Sequence, residues 1–265
     1  MRRALLAVVA IVASLAALSA CRGGGAPRPL KAENADVKMV TVTRGPESFV
    51  LTQEFPGSWR VTPPGDAADP ADVGALLDGL RRIEPGPRLS KDAAASYGLS
   101  DSGATSLRAA DGRGKTLFTA RFGRRGPGGA VHADAGEGND AFLVTGPPPE
   151  MIARGSEQWR DRRLLNGRCA AVELNAGKGW RPAEPALAAA LCALRATAVL
   201  PPLPEFLAGL DRPVLRVRSV SGAFAVGSKM GGERWISVEG REALLRAPAA
   251  PLAEAVEKAS RPARR

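Results

Sequence analysis

"DPADVGALLDGLRRI", residues 69–83, is the stretch on which the reading of the fold turns. Asp69 stands as an N-cap, Pro70 at the first helical position and Asp72 in the first turn, which is the order that opens an α-helix. Val73, Leu76, Leu77, Leu80 and Ile83 recur on one face, so the helix has a single apolar stripe to bury. Upstream, Val37–Thr43 alternates in polarity, a turn at Arg44–Ser48 returns it into Phe49–Thr52, and Gly57-Ser58-Trp59-Arg60-Val61 follows. Downstream, a hairpin turn at Asp111-Gly112 leads into Thr116–Phe122. Val131–Asp134, a Gly-rich turn, Ala141–Val144 and a short helix near Pro149–Arg154 come next.

The same succession starts again after Cys169. Ala171–Asn175 alternates, Gly177-Lys178-Gly179-Trp180-Arg181 mirrors Gly57-Ser58-Trp59-Arg60, and Glu184-Pro185 opens a helix lined by Leu187, Leu191 and Leu194. Strands then follow at Val214–Val220, Phe224–Val226, Arg234–Val238 and Ala243–Leu245, with a last helix near Pro251–Ala259. A single matching helix is easily had by chance; a matching succession is not. The expected architecture is α+β, as two tandem related modules of antiparallel strands with covering helices, spanning 37–166 and 167–260.

The opening "VTVTRG" with Trp59, the helix "ADPADVGALLDGLRRI", "YGL" at 97–99 and "WRDRRLL" at 159–165 together resemble domain-of-unknown-function family 4340. The resemblance covers roughly Val37 to Leu200. It implies a bacterial envelope protein or lipoprotein with repeated segments, of a kind often encoded beside components of ABC-type transporters. It brings no catalytic residue with it. The second copy departs from the pattern, with Ala208-Gly209-Leu210 in place of Tyr97-Gly98-Leu99 and no second "RDRRLL" after Leu245.

The N-terminus reads as an address. Met1-Arg2-Arg3 precedes an apolar run from Ala4 to Leu18, and Leu18-Ser19-Ala20-Cys21 resembles a lipobox. Residues 1–20 are then a lipoprotein signal peptide, Cys21 the lipidation site and 21–36 a flexible tether. Residues 261–265 form a basic tail. Loss of Arg2 and Arg3 takes the 37 basic residues to 35 against 27 acidic, a formal charge of +8. That favours anionic lipid, polysaccharide or an acidic partner. A secreted address and an aromatic share of 5% argue against nucleic acid. In an oxidising compartment Cys169 and Cys192 can form a disulfide; the alternative is two buried small hydrophobes.

Catalytic and metal-binding patterns are missing from the sequence. His132 is the single histidine, and no Gly-x-Ser-x-Gly elbow accompanies it. Asp134, Glu137 and Asp140 lack the register of a calcium loop. "GRGKT" (112–116) and "GEGNDA" (136–141) read as turns between strands, with no helix behind them to hold a phosphate. No catalytic residue, cofactor or metal is therefore expected. Trp59 and Trp180, at matching places, are expected to pack as core or half-buried residues, and Arg216 and Arg218 to lie on the solvated face of a strand.

"SEQWRDRRLLN" (156–166) is expected to be a basic joint between the modules. In it Trp159, Leu164 and Leu165 would close the first module, while Arg160, Asp161, Arg162 and Arg163 pair locally or cap helix carbonyls. Asp161→Ala or Arg162→Ala is expected to alter stability or module orientation. The function read from all this is a non-catalytic protein anchored in the cell envelope by its N-terminal lipid, facing the periplasm or outer membrane where the cell has two membranes. It would serve as an accessory or scaffold for an envelope protein such as an ABC-type transporter. The alternative is a module that binds an anionic small ligand or glycan in a cleft between the modules.

Overall fold

The computed structural model describes residues 25–33, 36–63, 65–90, 93–100, 102–136, 140–165 and 169–261. The signal segment, Cys21, Glu137, Asn166-Gly167 and most of the basic tail lie outside the described residues. The chain forms two compact units: the first takes residues up to 53 together with 72–154, the second takes 54–71 and everything from 155 onward.

In the first unit, strands numbered in chain order form an antiparallel sheet. They are β1 (Met39–Arg44), β2 (Glu47–Phe55), β5 (Glu84–Leu89), β6 (Thr105–Ala110), β7 (Thr116–Arg125), β8 (Val131–Asp134) and β9 (Ala141–Thr145). Their order in the sheet is β2-β1-β6-β7-β8-β9-β5. Val40 sits opposite Leu51 and Ala109, and Val42 opposite Phe49 and Leu107, so one pleat face carries the buried apolar set across three strands. Helix α1 (Pro70–Arg81) buries Val73, Leu76, Leu77 and Leu80, the stripe its spacing predicts, and Ala71 N–H donates to the Asp69 carboxylate at 2.9 Å. A short helix, α2 (Pro149–Ile152), follows β9.

The second unit repeats this plan. Its strands are β10 (Glu173–Asn175), β11 (Arg181–Pro182), β12 (Ala198–Leu200), β13 (Leu215–Ser219), β14 (Gly222–Met230), β15 (Glu233–Val238) and β16 (Leu244–Pro248). The order β11-β10-β13-β14-β15-β16-β12 matches that of the seven first-unit strands named above. In each copy the strand after the first helix, β5 or β12, pairs at the far edge with the last strand of the run. Helices α3 (Pro185–Ala193) and α5 (Ala249–Ser260) cover one face; a single-turn helix, α4 (Glu205–Ala208), stands between β12 and β13. Leu187 and Leu191 of α3 and Leu252, Ala255 and Ala259 of α5 pack on Leu215, Val217, Phe224, Val226 and Ile236. The fold class is α+β with two sheet modules.

Below the level of topology the two copies share a backbone device. Gly98 and Gly209 both hold left-handed φ, +73° and +66°, and the carbonyls before them lie against glycines on the strands β7 and β14. Tyr97 O accepts from Arg124 N at 2.7 Å; Ala208 O accepts from the Ser228 hydroxyl at 3.0 Å. Both strands change register there, between Phe122 and Arg125 and between Val226 and Lys229. The substitution of Ala208 for Tyr97 thus leaves the shared feature intact, because the carbonyl and the following glycine carry it.

A β-carbon at Gly123 would collide with Tyr97 O, and one at Gly227 with Ala208 O, whereas one at Gly74 in α1 meets nothing within 4 Å. Gly123→Ala and Gly227→Ala should each destabilise the chain by about 1–3 kcal/mol. Gly74→Ala should stabilise it by about 0.5–1 kcal/mol. Chemical denaturation of the three variants reads both signs.

Candidate functional site

Strands β3 (Ser58–Thr62) and β4 (Asp66–Ala68) pair as a hairpin that belongs to the second unit. There β4 meets the segment after a 3-10 turn at Ser156–Trp159. Asp69 N donates to Trp159 O and Asp161 N to Ala67 O, both at 2.9 Å. This closes a charged cluster out of water. Asp66, 1% exposed, accepts two bonds from Arg241, Nε to Oδ1 at 2.8 Å and Nη2 to Oδ2 at 2.7 Å. Arg160 Nη1 lies 3.5 Å from Asp66 Oδ2 and its Nε 3.0 Å from Glu157. Asp161 is buried and grips Arg163 through both oxygens, at 2.8 to 3.0 Å, and this hydrogen bonding holds the Arg163 guanidinium above its ordinary pKa.

Three expectations for this stretch change. Leu164 and Leu165 enter the core of the second unit; they do not close the first. The reason is the bridge Arg163↔Arg195 and the bond from Ala196 N to Arg162 O at 2.7 Å, which lay the segment beside the end of α3. The cluster also contains Asp66 and Arg241, which the sequence reading passed over. Arg162 itself is exposed. Cys169 and Cys192 form a disulfide with their Cα atoms 5.7 Å apart, tying α3 to the approach of β10.

His132 lies on β8 with its ring stacked on Tyr97, centroids 4.8 Å apart, and Nδ1 2.8 Å from Arg124 O. Among the described residues no group of three His, Cys, Asp or Glu is placed to hold a metal, and no helix is long and apolar enough to cross a membrane.

The surface best suited to bind something is the face of the second sheet that α3 and α5 leave open. Its side chains stand in two rungs. Glu173, Arg218 and Ala223 are cross-strand partners, and Glu239 N bonds Ala223 O at 2.9 Å; Asn175, Arg216, Ala225 and Ser237 form the second rung. Alanines on β14 leave a low floor between the arginines of β13 and the polar residues beyond, and the groove encloses about 340 Å³. Trp180 borders it. Trp59 is buried, at 6%, as expected; Trp180 is 37% exposed, against the expectation of packing. The two are not equivalent, because Trp59 lies within β3 whereas Trp180 precedes the two-residue edge strand β11.

Trp180 has a charged neighbour on its ring. The Arg218 guanidinium lies over the ring at 4.2 Å and its Nε donates to Glu173 at 2.6 Å. On either side of the tryptophan, Lys178 donates to Ser260 O at 2.9 Å and Arg181 to Arg261 O. Cations thus meet the carbonyl end of α5, where the helix dipole favours them. The same open face has an apolar rim. Leu203, Phe206 and Leu207 are exposed, Phe206 by 68% and Leu207 by 59%, while Ala208 and Leu210 dock on Leu244, Ala225 and Trp235.

The model of the family described as Domain of unknown function (DUF4340) matches residues 59–178. No curated protein matches the chain, and no solved structure matches it. The matched segment includes Glu173 but ends before Trp180, Arg216 and Arg218.

Asp66→Ala leaves Arg241 and Arg160 buried without their carboxylate and should destabilise the second unit by about 3–5 kcal/mol. Arg162→Ala, on an exposed side chain, should change stability by less than about 0.5 kcal/mol. Urea unfolding followed by tryptophan fluorescence separates the two.

Proposed function

We propose, for a chain whose residues 59–178 match the DUF4340 family model, a non-catalytic role as a lipid-anchored accessory or scaffold of the cell envelope, serving a membrane-protein partner of the ABC-transporter kind. The address is supported by the signal-like N-terminus and its Leu18-Ser19-Ala20-Cys21 ending, whose resemblance to a lipobox makes Cys21 the proposed lipid carrier. The observation that carries the scaffolding role is the exposed apolar rim at Leu203, Phe206 and Leu207.

Large side chains left in water on an ordered surface supply the apolar centre of a protein interface. Here Phe206 and Leu207 sit on a short helix, with Leu203 just before it, and Ala208 and Leu210 pin that helix from behind, so docking costs little ordering of the backbone. The prolines at 201, 202 and 204 stiffen the approach further. Such a surface works by position. The lipid sets the membrane, the tether sets the reach, and the rim sets the partner.

Photo-crosslinking from position 207 in intact envelopes should recover a membrane protein, and Phe206→Glu should abolish the adduct. Cys21→Ser should end lipid labelling and release the chain from membranes. Recovery of lipid alone from position 207 would contradict the scaffolding role, and continued labelling of Cys21→Ser would contradict the address.

A further inference from the structure

We propose that the groove beside Trp180 is a saccharide-binding site that takes an uncharged sugar ring of a glycan. This goes beyond the scaffolding role, which uses the apolar rim and does not need the groove. Arg216, Arg218 and Glu239 line the groove, and Glu173 at its margin neutralises Arg218 through their ion pair, so both signs of charge are present. An anionic ligand drawn to the arginines would sit against Glu239, and a cation drawn to the glutamates would sit against Arg216. A sugar meets neither penalty. Its hydroxyls both donate and accept, and the groove offers guanidinium donors, carboxylate acceptors and the Ser237 hydroxyl in two adjacent rungs.

The apolar part of the site matches as well. A pyranose ring presents C–H groups on its faces, which pack against aromatic rings and small aliphatic side chains. Ala223 and Ala225 provide a floor without projections, and Trp180 provides the ring. Arg218 lies over one face of that indole, and Trp180 as a whole stays 37% exposed at the border of the groove. The platform is in place before any ligand arrives. Arg218, itself paired with Glu173, packs on the indole, and Lys178 and Arg181 tie the chain on either side of Trp180 to the end of α5, which lowers the ordering cost of binding.

The test is isothermal titration calorimetry of the purified protein with maltotetraose, cellotetraose and chitotetraose, and with citrate as an anionic comparator. At least one of the oligosaccharides should bind. Trp180→Ala should weaken that binding by about tenfold or more, while Trp180→Phe keeps most of it. Trp180 is exposed, so both variants should melt like the parent, and matching melts ensure that lost binding is not lost folding. Failure of all three oligosaccharides to bind, undiminished binding by Trp180→Ala, or binding of citrate alone would overturn the assignment. A membrane protein crosslinked through position 207 would survive any of those results.

Discussion

Asp66 is the charge around which the second unit is assembled. A carboxylate with 1% exposure has no water to stabilise it, and removing it from solvent would cost several kcal/mol unless cations replace the lost hydration. Arg241 replaces it with two parallel bonds, the geometry in which a guanidinium binds a carboxylate most strongly. Arg160 adds a second positive charge and is itself held by Glu157. Asp66 is separated by 94 residues from Arg160 and by 175 from Arg241. One buried anion thereby fixes three distant pieces of chain, and the hairpin β3/β4 is drawn into the second unit although it precedes most of the first in sequence.

The rest of that unit follows from the same closure. With Arg160 and Asp161 anchored, Arg162 and Arg163 run beside the end of α3, and Leu164 and Leu165 are delivered into the core under α3 and α5. The Cys169–Cys192 disulfide then ties α3 to the start of β10, and β10 brings Glu173 opposite Arg218. The open face with its groove is therefore built on strands whose other side is a packed core.

The α+β class and the internal repeat were legible in the sequence because both rest on periodicity. Val73, Leu76, Leu77 and Leu80 announce a helix, and the alternation around Val40 and Val42 announces a strand. The repeat extends further than the pattern suggested, to seven strands in one order and to the glycine pairs Gly98/Gly123 and Gly209/Gly227. What stayed hidden was set by contact between distant residues. Asp66, in a three-residue strand among prolines and glycine, looks like any loop aspartate, and nothing local marks Arg241 as its partner. The exposure of Trp180 was hidden for a related reason. A Gly-Trp-Arg match to Ser-Trp-Arg is the same local chemistry, but one tryptophan lies within a strand and the other beside a sheet edge. Trp180, Arg216 and Arg218 were each singled out by type and spacing, yet only the register of β10, β13 and β14 brings them to one groove.

Native-state hydrogen exchange at the amides of Asp69 and Asp161 tests the account of this assembly most directly, because these two amides join the β4 segment to the chain after Trp159. If the buried charge makes 54–71 part of the second unit, both amides will exchange through the same opening as Ala196 and the β13–β14 pairs. Exchange of Asp69 and Asp161 in step with the β6–β7 amides of the first unit, while β13 and β14 stay protected, would contradict it.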